Sequence, residues 1–355
     1  MKTAKLDYPV HTLDNRLLLP AGKELTSEAL DELIAANKDT SYQVLSFLEY
    51  GTVYQDILRL IQKPPYHVIF DELKRTLALS LMKKISFIPP VLESLDYFKE
   101  SDFYTYRHSL MVFAMSTIIA RDLLEKSEDW IMEAMAGTIH DYGKICVPLQ
   151  ILKKSDPLTR TDRSILEHHA LAGLVLLSYF LQDRRSFAAQ VANEHHERRD
   201  GSGYPLGILL RDSMVEIIAA CDVYDALLSP RPYRTTQYDN RTALEEITEM
   251  AKGGKLSWDV VQTLVSHNRK DRPHFRECRV SSEKRGTPPE DNLYGVIVKR
   301  DPREEIKCPN CHGFCIKRES YKEGVEYISY KCSSCGKEFD KDDLLNIEMG
   351  KHFET

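Results

Sequence analysis

The sequence predicts a mainly α-helical protein built from three regions of different character. Apolar residues recur at helical spacing over residues 111–118, 132–139 and 215–222. No alternating series of apolar and polar residues, the pattern of a half-buried strand, competes with these stripes. The 355 residues, 42% of them hydrophobic and 29% charged, suffice for a buried core and two or three domains. This composition excludes a disordered, collagen-like or coiled-coil chain.

The charge balance excludes a general attraction to polyanions. Lys and Arg number 48 against 54 Asp and Glu, for a net charge of −6. Nucleic acid and anionic membrane surfaces are therefore not expected partners, and a phosphate-bearing ligand must be held locally. No apolar run approaches the roughly 20 residues that span a bilayer, and the first residues lack the apolar core of a signal peptide. We expect a cytoplasmic protein with reduced thiols and no membrane segment.

Residues 1–95 are expected to form a small, mostly helical accessory domain. Residues 17–22 predict a short strand followed by a turn, and Thr26 marks the start of a helix with an apolar face. Two Pro-Pro pairs, at residues 64–65 and 89–90, interrupt the helical pattern. Since no chemically reactive cluster occurs here, a packing role is favoured over a regulatory one.

Residues 96–280 contain a series of metal-ligand residue types on otherwise apolar segments predicted as helices. The series is His108, His140, Asp141, His169, His195, His196 and Asp222. Adjacent side chains on a helix point about 100° apart, so Asp141 can bridge two ions while His140 binds one. Imidazole and carboxylate together favour iron, manganese or zinc over calcium or magnesium. A single buried histidine is usually core packing, but so many unpaired polar groups would cost several kcal/mol without a metal.

Three longer motifs resemble a known family. His140-Asp141-Tyr-Gly-Lys144 resembles the signature of the HD phosphohydrolase superfamily. The block HHERRDGSGYP at residues 195–205 resembles the diagnostic motif of the HD-GYP subfamily, and DVYDALLSPRPYR at residues 222–234 fits it as well. The resemblance spans about residues 100–275, half of the chain. It implies an HD-type helical bundle with a multinuclear metal centre that hydrolyses cyclic di-GMP to pGpG or GMP.

The resemblance also implies how the ligands are shared between two divalent ions, with iron or manganese expected. One ion would be bound by His108, His140, Asp141 and Asp222, and the other by Asp141, His169, His195 and His196. His169 is preferred to His168 because the family ligand lies four residues before a glycine, here Gly173. Members with a third ion have a glutamate where this chain has Tyr104, so two ions are expected.

The expected chemistry is that of a binuclear hydrolase, in which a hydroxide held between two ions attacks phosphorus in line. Asp141, as the bridging ligand, and Lys144, one turn beyond it, are the expected catalytic residues, and Lys144 also contacts the phosphate. Arg231 and Arg234 suit phosphate because guanidinium donates two parallel hydrogen bonds, although solvated surface positions explain them equally well. Tyr204, after two glycines, is expected near a ligand base or a partner protein, with a plain turn as the alternative.

A linker at residues 281–304 is expected to lead into a zinc ribbon at residues 305–355. Two Cys-x-x-Cys pairs, Cys308 with Cys311 and Cys332 with Cys335, have the spacing of a four-thiolate site for one structural zinc. A redox role for these pairs is less favoured. Seven Lys and Arg against nine Asp and Glu from residue 308 onward favour protein docking over nucleic-acid binding.

Two alternatives to the phosphodiesterase stay open. The protein can be a sensor or docking protein that binds a cyclic dinucleotide with little turnover. It can also be an HD phosphohydrolase of another nucleotide. Binding without hydrolysis by metal-loaded protein would separate the first alternative from the enzyme.

Overall fold

The computed structural model describes residues 4–124, 133–134, 136–156, 158–230, 237–281 and 283–289, with the strands that lie within residues 315–340. The chain divides into two compact units, Met1–Leu293 and Tyr294–Thr355. The described part of the first unit is mainly helical, as the sequence predicts.

In the described part of the first unit, four short strands precede the first helix and two more lie between helices further along the chain. The α-helices are α1 Ser27–Ala35, α2 Val53–Ile61, α3 Glu72–Met82, α4 Pro89–Ser101, α5 Phe103–Leu123, α6 Leu149–Leu152, α7 Arg160–Glu167, α8 His169–Leu181, α9 Phe187–Glu194, α10 Ser213–Leu228, α11 Asn240–Lys252 and α12 Trp258–His267. The 3₁₀ turns are Tyr66–Val68, Ala136–Thr138, Tyr142–Cys146 and Phe275–Glu277. The strands are β1 Ala4–Lys5, β2 Val10–His11, β3 Leu17–Leu19, β4 Glu24–Leu25, β5 Leu45–Ser46 and β6 Ser86–Phe87.

The N-terminal segment contains more strand than its sequence predicts, in three antiparallel pairs: β1 with β4, β2 with β3, and β5 with β6. The predicted strand is confirmed as β3, and the predicted helix as α1, whose N-cap Thr26 accepts a hydrogen bond from the Ala29 amide. Apolar side chains of this segment belong to the same core as the central helices. Phe47, for example, packs edge-to-face on Phe113 of α5, with ring centroids 5.6 Å apart.

Two long helices form the centre of the core. Helix α5 is buried from Tyr106 to Ala120 except at Arg107, and α10 is buried throughout from Met214 to Leu228. A helix that is apolar on every side belongs in a core, so any ligand-type residue on it is held in a water-poor environment. The stripes at residues 111–118 and 215–222 are thereby confirmed as helical.

The apolar stripe at residues 132–139 does not continue as a helix to His140 and Asp141. Residues 136–138 form a 3₁₀ turn, and His140 and Asp141 lie in the turn that follows it. Met132 and Met135 lie outside the described residues. The expectation that His140 and Asp141 occupy helical positions was wrong, because a second 3₁₀ turn, Tyr142–Cys146, begins directly after them.

One stretch, Arg160–Leu181, is long and apolar enough by length and composition to cross a membrane. It comprises α7 and α8, and 61% of its most apolar window is buried inside the protein. Its burial accounts for the hydrophobicity, because α8 packs against α9 and the 3₁₀ turn at Tyr142–Cys146.

The second unit contains a three-stranded antiparallel sheet in the order β7-β8-β9, formed by Cys315–Lys322, Val325–Cys332 and Glu338–Asp340. Strand β8 ends at Cys332, and its register pairs Cys332 with Cys315 at the start of β7. Cys308, Cys311 and Cys335 lie outside the described residues, as does most of the predicted linker, so the zinc ribbon stays a prediction.

Candidate metal centre

Seven histidine and aspartate side chains converge in two adjoining groups. One group is Asp141, His169, His195 and His196, and the other is His108, His140 and Asp222. Within each group, one potential ligand atom from every residue lies within 4.8 Å of the others. The whole series that the sequence analysis selected is therefore brought together, and His196, with its side chain 17% exposed, lies nearest to solvent.

Asp141 lies between the two groups, and its two oxygens face different histidines. Oδ1 is 3.4 Å from Nε2 of His169 and 3.8 Å from Nε2 of His195. Oδ2 is 3.4 Å from Nε2 of His140 and 3.7 Å from Nε2 of His108. A carboxylate placed in this way can donate one oxygen to each of two cations.

The histidine rings are oriented by hydrogen bonds on the side away from the centre. Nδ1 of His140 lies 2.6 Å from the Gly137 carbonyl, and Nδ1 of His169 lies 2.5 Å from the Leu166 carbonyl. Nδ1 of His195 lies 3.0 Å from the carbonyl of Val191 and equally far from the next one. Because a carbonyl only accepts, each Nδ1 carries the proton and each Nε2 presents a lone pair.

These lone pairs face one another, which tests whether the residues fit a metal. Nε2 of His169 is 3.3 Å from Nε2 of His195 and 3.1 Å from Nε2 of His196. In the other group, Nε2 of His140 is 3.3 Å from Nε2 of His108. The lone pairs of His169 and His195 face each other and repel, and a cation between them removes that repulsion. The donor set fits divalent metal ions.

The protonation states also fit metal binding. Burial, with the charges of neighbouring histidines, lowers the pKa of His195 to about 3, and burial lowers the pKa of His169 to about 4. Burial opposes ionisation of Asp141, but Lys144 and the surrounding histidines hold its pKa well below the usual range. Neutral imidazoles and ionised carboxylates are the forms that bind metal.

Asp225, three residues after Asp222 on α10, supports a residue of the centre. Its Oδ2 lies 2.7 Å from Nδ1 of His108, whose Nε2 is 3.0 Å from Asp222. Arg107 donates to the same carboxylate at 2.6 Å, and Tyr66, from the N-terminal segment, donates to its other oxygen. The spacing of Asp225 three residues after Asp222 was the available signal, since both then lie on one face of α10.

Two close approaches require glycine. A Cβ atom on Gly143 would lie 1.9 Å from the His169 carbonyl oxygen, so only glycine lets the His140–Asp141 turn approach the start of α8. A Cβ on Gly203 would lie 2.4 Å from Cα of Glu197. The carboxylate of Glu197 accepts hydrogen bonds from the backbone amides of Leu206 and Ile208 and so anchors the loop that follows Gly203.

The remaining predicted residues fall in different places. Lys144 donates to Oδ2 of Asp141 at 2.6 Å, with its side chain 13% exposed. Tyr204 stacks on His196, with ring centroids 4.5 Å apart. Tyr104 stacks on His108, with centroids 5.6 Å apart and planes 10° from parallel. Arg231 and Arg234 lie outside the described residues.

Comparison with known proteins agrees with this geometry. Residues 96–256, which contain all seven side chains, match the family model described as HD domain. A cyclic di-GMP phosphodiesterase of Pseudomonas aeruginosa is 39% identical over 170 residues, 46% of this chain and 39% of the relative. A cyclic di-GMP phosphodiesterase of Thermotoga maritima is 36% identical over 184 residues, 50% of this chain and 49% of the relative. A 3′3′-cGAMP-specific phosphodiesterase of Vibrio cholerae is 29% identical over 167 residues, 46% of this chain and 38% of the relative.

Residues 96–256 are therefore similar to HD domains, and the named relatives support the HD-GYP branch that the motifs indicate. The chain spans less than half of the length of each of the three relatives. The likeness therefore concerns the segment that carries the metal centre.

Proposed function

We propose that this protein is a metal-dependent phosphodiesterase that hydrolyses cyclic di-GMP to pGpG or GMP. The observation that carries the proposal is the position of Asp141 between two groups of histidines, with one oxygen toward each. Such an arrangement suits two cations that share one ligand. The curated relatives, which are named as cyclic dinucleotide phosphodiesterases, supply the substrate class.

The proposed ligands are the seven side chains of the two groups, with Asp141 common to both ions. Two divalent ions, iron or manganese, would polarise the phosphodiester and lower the pKa of water from about 15.7 to about 7. The protein contributes the rigid orientation of the rings, since Nδ1 of His140, His169 and His195 is held by backbone carbonyls. Each ring thus presents Nε2 to the centre without a conformational change.

Lys144 and Tyr204 are the proposed substrate contacts among the described residues. Lys144 keeps Asp141 ionised and extends to the edge of the centre, where its ammonium can offset the charge of a phosphate. Tyr204 stacks on His196, the residue of the centre that lies nearest to solvent. Arg231 and Arg234 are proposed to bind phosphate, because guanidinium can donate two parallel hydrogen bonds.

The assignments outside the centre rest on sequence. We propose a structural zinc bound by Cys308, Cys311, Cys332 and Cys335, in a module that docks a protein partner, with the loop around Tyr204 as a second docking region. We also propose a cytoplasmic location, in which the thiols stay reduced.

The test is hydrolysis of cyclic di-GMP by full-length protein purified without oxygen and supplied with iron or manganese. A His140→Ala/Asp141→Ala variant removes a ligand of one group and the shared carboxylate. We expect turnover to fall at least about a thousandfold, with a matching loss of bound metal. A variant that keeps both its metal and its turnover would refute the site, and inactive wild-type protein with two bound ions would refute the enzyme.

A receptor that binds the nucleotide with little turnover is the second candidate. It is favoured by Tyr104, which packs on His108 at the position where three-metal members have a glutamate. A phenol is a poor ligand near neutral pH because its ordinary pKa is about 10. Tight binding of cyclic di-GMP by metal-loaded protein without hydrolysis would establish this candidate.

A further inference from the structure

A cavity of about 560 Å³ lies beside the metal centre. Its walls come from the N-terminal residues around β1, from the junction of α7 and α8, and from the loop around Tyr204. The volume falls within the range of about 300–1,000 Å³ that is common for small-molecule sites. The seven side chains of the metal centre do not line this cavity. The cavity is therefore a candidate site for a part of the ligand other than its phosphodiester.

The cavity and the metal centre share a wall. Tyr204 lines the cavity and also stacks on His196 of the metal centre, with ring centroids 4.5 Å apart and planes 24° from parallel. His168 lines the cavity, while the next residue, His169, belongs to the metal centre. A nucleotide whose phosphodiester lies at the metal centre is therefore within reach of the cavity through its sugar and base.

The cavity wall combines a flat apolar part with charged groups. Tyr204, Pro205 and Leu206 offer an aromatic ring and aliphatic surface, which suit a planar heterocycle. Asp7 and Glu167 contribute carboxylates, which only accept hydrogen bonds, and Lys5 contributes an ammonium, which only donates.

Glu167 is available to a ligand despite an existing ion pair. Its Oε1 is 2.9 Å from Nε of Arg163, but the Arg163 side chain is 72% exposed. An exposed pair of this kind is worth little in water. Replacing Arg163 as the partner of Glu167 by a hydrogen-bond donor of the ligand therefore costs little free energy.

We propose that this cavity binds the guanine base of the substrate and selects it over adenine. The inference rests on the proposed function, because it assigns a place to a base of the cyclic dinucleotide. Guanine offers N–H donors at N1 and N2 to the carboxylates of Asp7 and Glu167, and acceptors at O6 and N7 to Lys5. Adenine carries an amino donor where guanine has O6 and lacks the N1 and N2 donors, so it leaves the carboxylates unpaired and opposes Lys5.

The test compares the binding of GMP and AMP to the metal-loaded full chain by isothermal titration calorimetry. The variant is Asp7→Ala/Glu167→Ala, and the matched control is Glu32→Ala/Asp39→Ala, which removes the same groups from an exposed surface outside the cavity. The affinity for AMP shows how much the loss of two negative charges changes nucleotide binding in general. We expect the wild type and the control to prefer GMP about tenfold or more, and the variant to lose most of that preference.

Hydrolysis of bis(p-nitrophenyl) phosphate, which has no base, should be equal in all three proteins. Equal binding of GMP and AMP by the wild type, absence of GMP binding, or an unchanged preference in the variant would overturn the inference. Hydrolysis of cyclic di-GMP is measured separately. If it is absent while the GMP preference depends on Asp7 and Glu167, the proposed function fails and the base site stands.

Discussion

At the residue scale, Asp225 shows how the protein orients a proposed metal ligand, His108. Its buried carboxylate accepts hydrogen bonds from His108 and Arg107 on α5 and from Tyr66 in the N-terminal segment. The bond to Nδ1 of His108 fixes the ring and makes Nε2 more basic, which strengthens it as a ligand. The N-terminal segment thus contacts the residue that orients His108.

We expect Asp225→Asn to weaken metal binding about 10- to 100-fold, because outer-shell partners of ligands have effects of that size. The change keeps the shape of the side chain but removes the charge that pairs with Arg107 and His108. Metal affinity is measured by competition with a chelator in protein loaded with manganese. Asp259→Asn, an exposed position on α12, is the control and should retain wild-type affinity. Equal affinities in the two variants would show that Asp225 only supports the fold.

At the element scale, the turn at His140–Asp141 and helix α8 are held together by backbone contact. Gly143 follows the motif directly and lies against the first turn of α8, where a Cβ atom would be 1.9 Å from the His169 carbonyl and 2.4 Å from the Gly173 amide nitrogen. This approach brings Asp141 within reach of His169. The position therefore couples the geometry of the centre to the packing of two elements.

Gly143→Ala should lower the free energy of unfolding by about 2 kcal/mol or more, since backbone atoms cannot yield to an added methyl group. Urea denaturation of the metal-free variant measures this loss. Gly253→Ala, where a Cβ meets nothing closer than 3.4 Å, is the control and should change stability by less than about 0.5 kcal/mol. A fully stable Gly143→Ala variant would mean that the two elements are further apart than described.

At the scale of the whole molecule, the buried centre makes stability depend on pH. His169 and His195 have pKa values of about 4 and 3 in the folded protein, against about 6.5 when unfolded. Between these values the unfolded chain binds protons that the folded protein does not, so acid favours unfolding. The lowered pKa of Asp141 acts in the same direction below about pH 4, whereas the raised pKa of His108 opposes it.

His169 and His195 should therefore each lower the unfolding free energy of the metal-free protein by about 2 kcal/mol between pH 7 and pH 5. Urea denaturation at the two pH values measures the loss. A His195→Asn variant removes one of the titrating groups and should show a smaller difference between the two values. A difference as large as that of the wild type would indicate that other groups cause the pH dependence.

Local patterns predicted much of the fold and of the centre. The apolar helices α5 and α10 follow from their 3.6-residue periodicity, and α1 from its cap and apolar face. The seven side chains of the two groups were selected because they interrupt apolar segments and match a motif. The short strands of the N-terminal segment were largely missed, because two or three residues are too few to establish an alternating pattern.

The sequence by itself therefore determined the helical class and the identity of the convergent histidines and aspartates. Both follow from short-range patterns, the helical periodicity and the motifs. Only the tertiary structure decided which residues Asp225 contacts and where Asp7 lies. The bond from His108 to Asp225 and the place of Asp7 in the cavity beside Tyr204 join distant segments. Their roles depend on distances between helices, which side-chain packing sets and no local pattern records.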